Sequence, residues 1–257
     1  MRLPERVAYG PGSSQFCELF VTKTTSPGRA GPYPVVVLVH GGFWRAQYDR
    51  TLEWQVAGDL CERGFAVWNV EYRRVGDGGG WPATFEDVAA AVDALGGTGD
   101  ERLDLGRVVF VGHSAGGHLA LWAAGRAGLP DGAPGAGPRV RPVAAVAQAG
   151  VVDLDEASRL RLSDAAVHEL LGGSPDEQPE RYELASPRRR LPLGVPLLLV
   201  HGDRDGNVPV EMSQAFAAAA EAAGDECELV VVSGEGHAEH LEPDSRVWRA
   251  VVDWLDR

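Results

Sequence analysis

The stretch 108-VVFVGHSAGGHLALWAA-124 decides the fold that we predict for this chain. An apolar run leads into 112-GHSAG-116, and an Ala- and Leu-rich segment of helical character follows. The pattern G-x-S-x-G between a strand and a helix predicts a sharp turn that exposes a serine hydroxyl above the carboxyl edge of a sheet. Flanking glycines let the strained backbone pass close to its neighbours at such a turn. We therefore predict that Ser114 is a nucleophile; the alternative is a Gly/Ser turn without chemistry.

Around this stretch, short apolar runs alternate with longer segments of helical periodicity. Strands are predicted at 16–21, 35–39, 66–70, 107–111, 143–148, 196–200 and 228–232, and helices at 52–64, 84–95, 116–128, 210–224 and 245–255. The central strands are apolar without alternation, as expected for strands that are covered on both faces. The sequence therefore predicts an α/β fold with a mostly parallel central sheet and helices on both of its faces.

The length of the chain and the even alternation favour one domain over residues 1–257. Late in the chain, the region 153–194 is polar and contains prolines, with one short helix predicted around 163–172. We expect this region to be a short excursion or lid on the same domain, and the domain to carry a small cap or none.

Charge and cysteine content limit the partners and cofactors of the chain. The 24 Lys and Arg residues against 37 Asp and Glu residues give a net charge of −13, which disfavours nucleic acid and anionic membranes as partners. Lys23, the single lysine, lies in a polar stretch, which argues against Schiff-base or P-loop chemistry. Cys17, Cys61 and Cys227 lack C-x-x-C spacing, so we predict neither a disulfide framework nor a zinc site.

The start of the sequence, MRLPERVAYG, has no apolar core of a signal peptide, and no apolar run approaches the roughly 18 residues of a membrane span. We expect a cytoplasmic protein that needs neither a metal nor a cofactor. The sequence leaves the oligomeric state open, a homodimer included.

A serine nucleophile needs a base, and the base needs an acid that orients it. One predicted strand runs into the polar turn HGDRDGN with Asp203 and Asp205, and the next runs into the loop GEGHAEH with His237 and His240. The chain order Ser, Asp, His suits the fold. We assign Asp205 as the acid because it lies further into its loop, with Asp203 as a turn cap. We assign His237 as the base because Gly-x-Gly-His places it at the loop apex, with His240 as the alternative.

The oxyanion of a tetrahedral intermediate needs backbone N–H donors. Ala115, at the predicted start of a helix, supplies one of them. The stretch 35-VVVLVHGGFWR-45 can supply the others, because its glycines let the chain turn amides toward the serine. A plain turn at the end of the strand is the alternative, and we interpret His40 as a structural residue of this loop.

These residues together resemble the α/β-hydrolase fold, from about Tyr9 to Trp254. The segment 40-HGGFW-44 resembles the HGGxW motif of kynurenine formamidases (arylformamidases) and related small carboxylesterases. Other matching pieces are 9-YGPGSSQ-15, 71-EYRR-74, Trp81-Pro82, Glu86-Asp87, 112-GHSAGGH-118 and 201-HGDRDGNVP-209. The resemblance implies that Gly42, Phe43 and Ala115 donate to the oxyanion, and that Asp205 and His237 are the acid and the base.

The predicted function is therefore that of a serine hydrolase, which cleaves a short-chain carboxylic ester or an aryl formamide through an acyl-enzyme. Phe43 stands where a hormone-sensitive-lipase type has a third glycine, and with Trp44 it adds aromatic bulk that suits a small or flat acyl group. We expect Trp44, His113 and Trp81 to line the substrate pocket, and Trp122 to belong to the core.

Other readings of the same residues remain open. A peptidase or a lipase could use this fold, although a lipase would need a larger apolar cap than 153–194 and peptidases of this lineage commonly carry a propeller domain. A non-catalytic ligand-binding protein could retain the scaffold. A dinucleotide-binding protein is disfavoured because no G-x-G-x-x-G opens a helix after a strand. The run Arg188–Arg190 is interpreted as solvated surface, with binding of an anionic substrate group as the alternative.

Overall fold

The computed structural model describes residues 4–21 and 31–257. Lys23, on which one of the chemical exclusions depends, lies outside the described residues. The strands of the described part are β1 (Glu5–Ala8), β2 (Phe16–Phe20), β3 (Tyr33–Val39), β4 (Ala66–Val70), β5 (Leu103–His113), β6 (Ala144–Gln148), β7 (Leu197–Gly202) and β8 (Cys227–Val232). The helices are α1 (Trp54–Glu62), α2 (Ala83–Leu95), α3 (Ala115–Ala124), α4 (Leu154–Arg159), α5 (Leu162–Leu171), α6 (Pro179–Ala185), α7 (Val210–Ala223) and α8 (Arg246–Leu255), with 3₁₀ turns at Arg50–Glu53, Gly125–Gly128, Pro187–Arg190 and Ala238–Leu241.

The described strands form one eight-stranded sheet in the order β1-β2-β4-β3-β5-β6-β7-β8. Along the described sheet from β4 to β8 every neighbouring pair is parallel, and the β1–β2 and β2–β4 pairs are antiparallel. The carboxyl ends of the parallel strands therefore meet at one edge of the sheet, and the loops that follow β3, β5, β7 and β8 emerge there together. The predicted α/β fold with a mostly parallel sheet is confirmed.

Helices cover both faces of the sheet because the strands present apolar side chains in both directions. In β3, Val35, Val37 and Val39 join one buried cluster with residues of α2, α3 and α7, whereas Val36 and Leu38 join a second cluster with residues of α1 and α8. Alternate side chains of a strand point to opposite faces, so an unbroken apolar run requires cover on each side. The continuous apolar pattern of the sequence thus has its physical cause in this two-sided burial.

The region 153–194 folds as the helices α4, α5 and α6 followed by the 3₁₀ turn Pro187–Arg190, where the sequence predicted a single helix. Its buried side chains, among them Leu154, Leu170 and Tyr182, belong to the same cluster as α2 and α3. The excursion is therefore packed onto the helical layer on one side of the sheet.

Two features of the sheet differ from the sequence-based prediction. Strand β1 was not predicted, because only four residues, mostly exposed, form it. Strand β5 begins at Leu103 and not at 107, with exposed residues in its first half and a register irregularity against β3 between Pro34 and Val35. Both segments gain their extended form from pairing with a neighbouring strand, which a local apolar pattern does not reveal.

Candidate active site

Ser114 stands on a strained turn between β5 and α3, as the sequence predicts. Its φ of 58° and ψ of −121° are unfavourable for a residue with a side chain, and neighbouring groups hold it in place. The Ser114 amide donates to the Gln148 carbonyl at 2.8 Å, and its carbonyl accepts from the amides of His118 and Val151, each at 3.2 Å. These bonds tie the turn to β6 and to the first turn of α3, so the strain is maintained by the surrounding fold.

The glycines of the motif are required by close approach of backbone to backbone. A Cβ on Gly116 would lie 1.9 Å from the carbonyl oxygen of Val39, and a Cβ on Gly112 would lie 2.1 Å from the carbonyl oxygen of Gly116. No side chain fits at either distance. The two glycines therefore allow α3 to start directly against the end of β3, which brings the HGG loop beside the serine.

The acid and the base predicted from the sequence are hydrogen-bonded to each other. Nδ1 of His237 lies 2.6 Å from Oδ2 of Asp205, and the Asp205 side chain has no exposed area. Oδ1 of the same carboxylate accepts from the amides of Asn207 at 2.8 Å and Val208 at 2.9 Å. His201, which the sequence analysis did not single out, places Nε2 3.2 Å from Oδ2.

The environment of Asp205 keeps its carboxyl group ionised. Burial would by itself raise the pKa of this group, but the contacts of His201 and His237 and the amide of Val208 outweigh it and hold the pKa well below its ordinary value. An ionised carboxylate accepts and does not donate, so Nδ1 of His237 carries a proton. Nε2 is then left as the basic nitrogen of this imidazole.

The alternative residues for both roles lie elsewhere. Asp203 is exposed and accepts from the amide of Gly234 at 2.5 Å, so it binds the loop after β8 and does not cap its own turn as expected. His240 is fully buried, and neither of its ring nitrogens has a hydrogen-bond partner among the described residues. Burial, followed by the nearby imidazoles of His201 and His237, lowers the pKa of His240 to about 3, so it is a neutral buried ring.

His113 lies directly against the candidate base. Its ring centroid is 4.5 Å from that of His237, and its Nε2 lies 2.9 Å from the His237 carbonyl oxygen. A carbonyl only accepts, so Nε2 of His113 donates and holds the backbone of the loop that carries His237. Burial lowers the pKa of His113 well below its ordinary value, which keeps this ring neutral beside the base.

The loop after β3 makes a sharp turn. Gly42, Phe43 and Trp44 have successive positive φ values of 103°, 49° and 57°, which neither a strand nor a right-handed helix contains. Within residues 4–21 and 31–257, the amides of Gly42 and Phe43 have no hydrogen-bond acceptor. Ala115 is the first residue of α3, where an amide has no acceptor inside its own helix. The three amides that the resemblance assigns to an oxyanion thus have no acceptor among the described residues.

His40 supports this loop from below, as the sequence analysis expected. It is fully buried, its Nδ1 lies 2.8 Å from the Gly41 carbonyl oxygen, and its Nε2 lies 3.3 Å from a Glu71 carboxylate oxygen. Its ring stacks on Tyr72 with centroids 4.3 Å apart, and the Tyr72 hydroxyl donates to the His40 carbonyl at 2.8 Å. The imidazole therefore fixes the base of the HGG turn.

The candidate nucleophile, the candidate base and the HGG loop line a common cavity of about 170 Å³. Ser114, His113 and His237 contribute to its wall together with the HGG loop. The full lining is Gly42, Phe43, Tyr48, Leu52, His113, Ser114, Asn207, His237, Ala238 and Leu241. The structure thus brings Ser114 and the Asp205–His237 pair to one small, partly apolar pocket. None of the described lining residues comes from 153–194, so this region does not wall the cavity.

Two residues that the sequence placed in the pocket lie elsewhere. Trp44 is 1% exposed, and its Nε1 donates to Nδ1 of His118 at 3.1 Å, so it is part of the core beneath the loop. Trp81 packs edge-on against Phe85 with ring centroids 5.0 Å apart, and it does not line the cavity. Trp122 is 1% exposed, which confirms its assignment to the core. The HGGFW loop turns so sharply at Phe43 that consecutive aromatic rings point in different directions.

The Arg188–Arg190 run forms most of a 3₁₀ turn away from the cavity walls. Arg189 binds Asp155 at 2.6 Å and Glu183 at 3.3 Å, so protein carboxylates neutralise it. This arrangement favours the interpretation of the run as surface over the binding of an anionic substrate group.

The described part of the chain has neither a cluster of potential metal ligands nor a membrane-spanning helix. The described residues contain no group of three or more His, Cys, Asp or Glu side chains arranged to hold a metal ion. No helix among them is long and apolar enough to span a membrane. Cys17, Cys61 and Cys227 are buried and unpaired.

Sequence reasoning missed several residues of the site. Tyr48, Leu52 and Leu241 form apolar parts of the cavity wall, and they come from segments without a motif. His201 lies in β7, four residues before Asp205, and this proximity is the one available signal for it in the sequence.

Comparisons with known proteins agree with this architecture. Esterase LipC of Mycobacterium tuberculosis (strain ATCC 25618 / H37Rv) is 29% identical over 229 residues, which cover 82% of this chain and 53% of LipC. Esterase LipQ of the same strain is 29% identical over 224 residues, covering 85% of this chain and 52% of LipQ. The chain thus spans about half the length of these curated relatives. A structure titled a truncated form of carbohydrate esterase from gut microbiota superposes with a TM-score of 0.82 at 23% identity, over 98% of this chain and 94% of that one.

The fold likeness extends over the whole sheet and its helices, and structural neighbours of this type are α/β-hydrolases. The sequence pattern of the BD-FAE family matches residues 24–220, a span that includes the HGG loop, the Ser114 turn and Asp205. His237 lies just beyond the matched span, on the loop after β8. The chain belongs to the BD-FAE family of α/β-hydrolase-fold esterase domains.

Proposed function

We propose that this protein is a carboxylesterase that hydrolyses short-chain esters through a Ser114–His237–Asp205 triad. The observation that carries the proposal is the 2.6 Å hydrogen bond between the buried Asp205 carboxylate and Nδ1 of His237. His237 in turn lines the same cavity as the strained Ser114. Membership of an esterase family and the likeness to esterases LipC and LipQ support it.

In the proposed reaction, Oγ of Ser114 attacks the ester carbonyl while Nε2 of His237 takes its proton. The amides of Gly42, Phe43 and Ala115 stabilise the oxyanion of the tetrahedral intermediate. The imidazolium of His237, held by Asp205, then protonates the leaving alcohol, and an acyl-enzyme remains. Water, deprotonated by the same nitrogen, hydrolyses the acyl-enzyme and restores the serine.

The size of the cavity favours a small acyl group. About 170 Å³ is well below the roughly 300 Å³ at which drug-sized ligand pockets begin. Phe43, Tyr48 and Leu241 wall the space near the serine with apolar groups that pack against a short alkyl chain. Acetate or propionate esters are therefore the expected substrates. An aryl formamide presents an even smaller acyl group and remains the second candidate, supported by the same narrow wall.

A fluorophosphonate probe and a substrate panel test the proposal. The wild-type protein and the Ser114→Ala variant are compared on p-nitrophenyl acetate, butyrate and octanoate, N-formylkynurenine and a short peptide amide. We expect hydrolysis that decreases with acyl length, covalent labelling of Ser114, and loss of both in the variant. Ser174→Ala, a change in the exposed turn where Ser174 binds Glu177, is the matched control and should behave as wild type.

Each competing function predicts a different result. Fastest cleavage of the octanoate would favour a lipase, cleavage of the amide a peptidase, and cleavage of N-formylkynurenine the formamidase. A folded wild-type protein that resists both the probe and every substrate would overturn the proposal and favour a non-catalytic binding protein.

A further inference from the structure

His201 is a fully buried histidine directly behind the candidate acid. It is the penultimate residue of β7, and its side chain has no exposed area. Its Nδ1 lies 2.8 Å from the hydroxyl oxygen of Ser213 on α7, and its Nε2 lies 3.0 Å from the carbonyl oxygen of Val208 and 3.2 Å from Oδ2 of Asp205. Both ring nitrogens are therefore engaged, although the mechanism above does not use this residue.

The partners of the ring determine which nitrogen carries the proton. The Val208 carbonyl and the ionised Asp205 carboxylate only accept, so Nε2 of His201 must be protonated. The Ser213 hydroxyl can donate, and it satisfies an unprotonated Nδ1. His201 thus connects a continuous chain of polar contacts that runs from Ser213 through His201 and Asp205 to His237.

The two contacts of Nε2 both hold the same turn. Val208 donates its amide to Oδ1 of Asp205 at 2.9 Å, while its carbonyl accepts from His201. Through Nε2 alone, His201 therefore contacts both the carboxylate and the backbone segment that binds it. Oδ2 of Asp205 accepts the hydrogen bond from Nδ1 of His237, and the same oxygen lies 3.2 Å from Nε2 of His201.

We propose that His201 is a positioning residue, which acts through Asp205 to keep Oδ2 aimed at Nδ1 of His237. This inference rests on the proposed function, because it assigns a role within the same triad. Apolar packing alone does not explain the residue, since a buried imidazole loses hydration that a leucine or phenylalanine would not lose. The polar ring is useful at this place because its N–H, which donates to the Val208 carbonyl at 3.0 Å, also lies 3.2 Å from Oδ2 of a carboxylate with no exposed area.

The test compares His201→Phe, which keeps a planar ring and removes the donor, with His201→Gln, whose amide can donate to the carboxylate. For His201→Phe we expect kcat on p-nitrophenyl acetate to fall on the order of 10- to 100-fold, with KM within about twofold, as for a loss of alignment at the reacting groups. We expect His201→Gln to recover most of the rate. His168→Phe is the matched control, because His168 likewise binds a serine hydroxyl, that of Ser158 at 2.7 Å, but in the excursion.

The pH profile separates positioning from a purely structural role. In the wild-type protein, the N–H of His201 draws part of the negative charge of Oδ2 away from His237. Without this N–H, Oδ2 attracts the His237 imidazolium more strongly. The acid limb, which is the fall of kcat toward low pH, should therefore move upward by about half a pH unit or more. Asp205, His113 and His240 are the other titratable groups around His237, and they are unchanged in the variant. A variant that is merely less stable would have a lower kcat at every pH, and the acid limb of its pH profile would stay at the same pH.

Ser213→Ala covers the case in which His201→Phe does not fold. It removes one hydroxyl, frees Nδ1 of His201, and should lower kcat by about two- to fivefold with a shift of the acid limb in the same direction. In addition, the Nδ1 proton of His237, which lies in a 2.6 Å bond, should resonate far downfield in the proton NMR spectrum and move in each variant.

Unchanged kcat, acid limb and downfield resonance in the folded variants would overturn the role of His201. This outcome is distinct from failure of the proposed function, in which the wild-type protein itself would neither hydrolyse esters nor react with the fluorophosphonate. The NMR resonance decides the positioning question even in that event, because it reports the Asp205–His237 bond without turnover.

Discussion

Asp205→Asn should separate the chemical role of the acid from its structural role. The carboxylate receives four contacts from nitrogen, two on each oxygen: the amides of Asn207 and Val208 on Oδ1, and the rings of His201 and His237 on Oδ2. An asparagine has one accepting oxygen and one donating NH₂ group. If the oxygen keeps the Oδ1 position, the NH₂ group faces two ring nitrogens that carry protons. If the amide is reversed, it faces two backbone N–H groups.

The first arrangement has the lower cost, because His237 can move its proton to Nε2 and accept from the new amide. Nε2 then no longer accepts the proton of Ser114, and we expect kcat to fall on the order of 10⁴-fold. Loss of the charge-assisted hydrogen bonds should also lower the free energy of unfolding by about 1–3 kcal/mol at neutral pH. This contribution to stability comes from a lowered pKa of Asp205, so in the wild-type protein it is present above the unfolded value near 4 and is lost as the pH falls below it.

The assay is kcat on p-nitrophenyl acetate at pH 7.5, with urea unfolding monitored in parallel to confirm that the variant is folded. Asp203→Asn is the matched control, because Asp203 is an exposed carboxylate of the same turn that binds the Gly234 amide, and its kcat should stay within about twofold of wild type. A folded Asp205→Asn protein that keeps more than a tenth of the wild-type kcat, or an equal loss in Asp203→Asn, would refute the assignment of the acid.

Three further predictions concern packing, the cavity and pH. Gly116→Ala should lower the free energy of unfolding by roughly 3 kcal/mol or more, because its Cβ would lie 1.9 Å from the Val39 carbonyl oxygen. Gly97→Ala is the control, because its Cβ would have its nearest atom at 3.6 Å, and its melting temperature should stay close to that of the wild type. Equal melting temperatures of the two variants would contradict the prediction. Leu241→Ala should enlarge the cavity and raise kcat/KM for butyrate relative to acetate esters by about tenfold, and an unchanged ratio would place the acyl chain elsewhere. The pKa of His240 is lowered to about 3 in the folded protein from about 6.5 in the unfolded chain, so the free energy of unfolding decreases as pH falls from 6.5 toward 3. His240→Leu should reduce the slope of this free energy against pH by up to about 1.4 kcal/mol per pH unit, as measured by urea unfolding at pH 7 and pH 5. An unaltered slope would show that other groups dominate.

The elements that could be predicted from the sequence are those whose local pattern has a single physical cause. The apolar run of β3 requires cover on both faces, and the structure supplies it with α2 and α3 on one side and α1 and α8 on the other. The motif around Ser114 contains glycines where any Cβ would strike backbone, so it has one structural solution. The choice of Asp205 over Asp203 also followed from the sequence, because depth within the turn distinguished them, and the hydrogen bonds agree with it.

The elements that were missed depend on neighbours distant in the sequence. Trp44 lies in a loop that lines the site, yet its indole turns into the core to donate to His118, a residue 74 positions away. For the region 153–194 the sequence left open an excursion or a lid; Leu154 and Tyr182 pack into the main core, and none of its described residues lines the cavity. Composition reports how polar a segment is; only packing decides what it covers.

The sequence by itself determined the strand–helix alternation, the strained serine turn, the order of the three candidate catalytic residues and the glycine-rich loop, because each is a local steric requirement. Only the tertiary structure decided which side chains share the cavity, which histidine binds the acid, and that His201 stands behind Asp205. These relations arise where the loops after β3, β5, β7 and β8 converge at one edge of the sheet, and their distances depend on the register of parallel strands that are far apart along the chain.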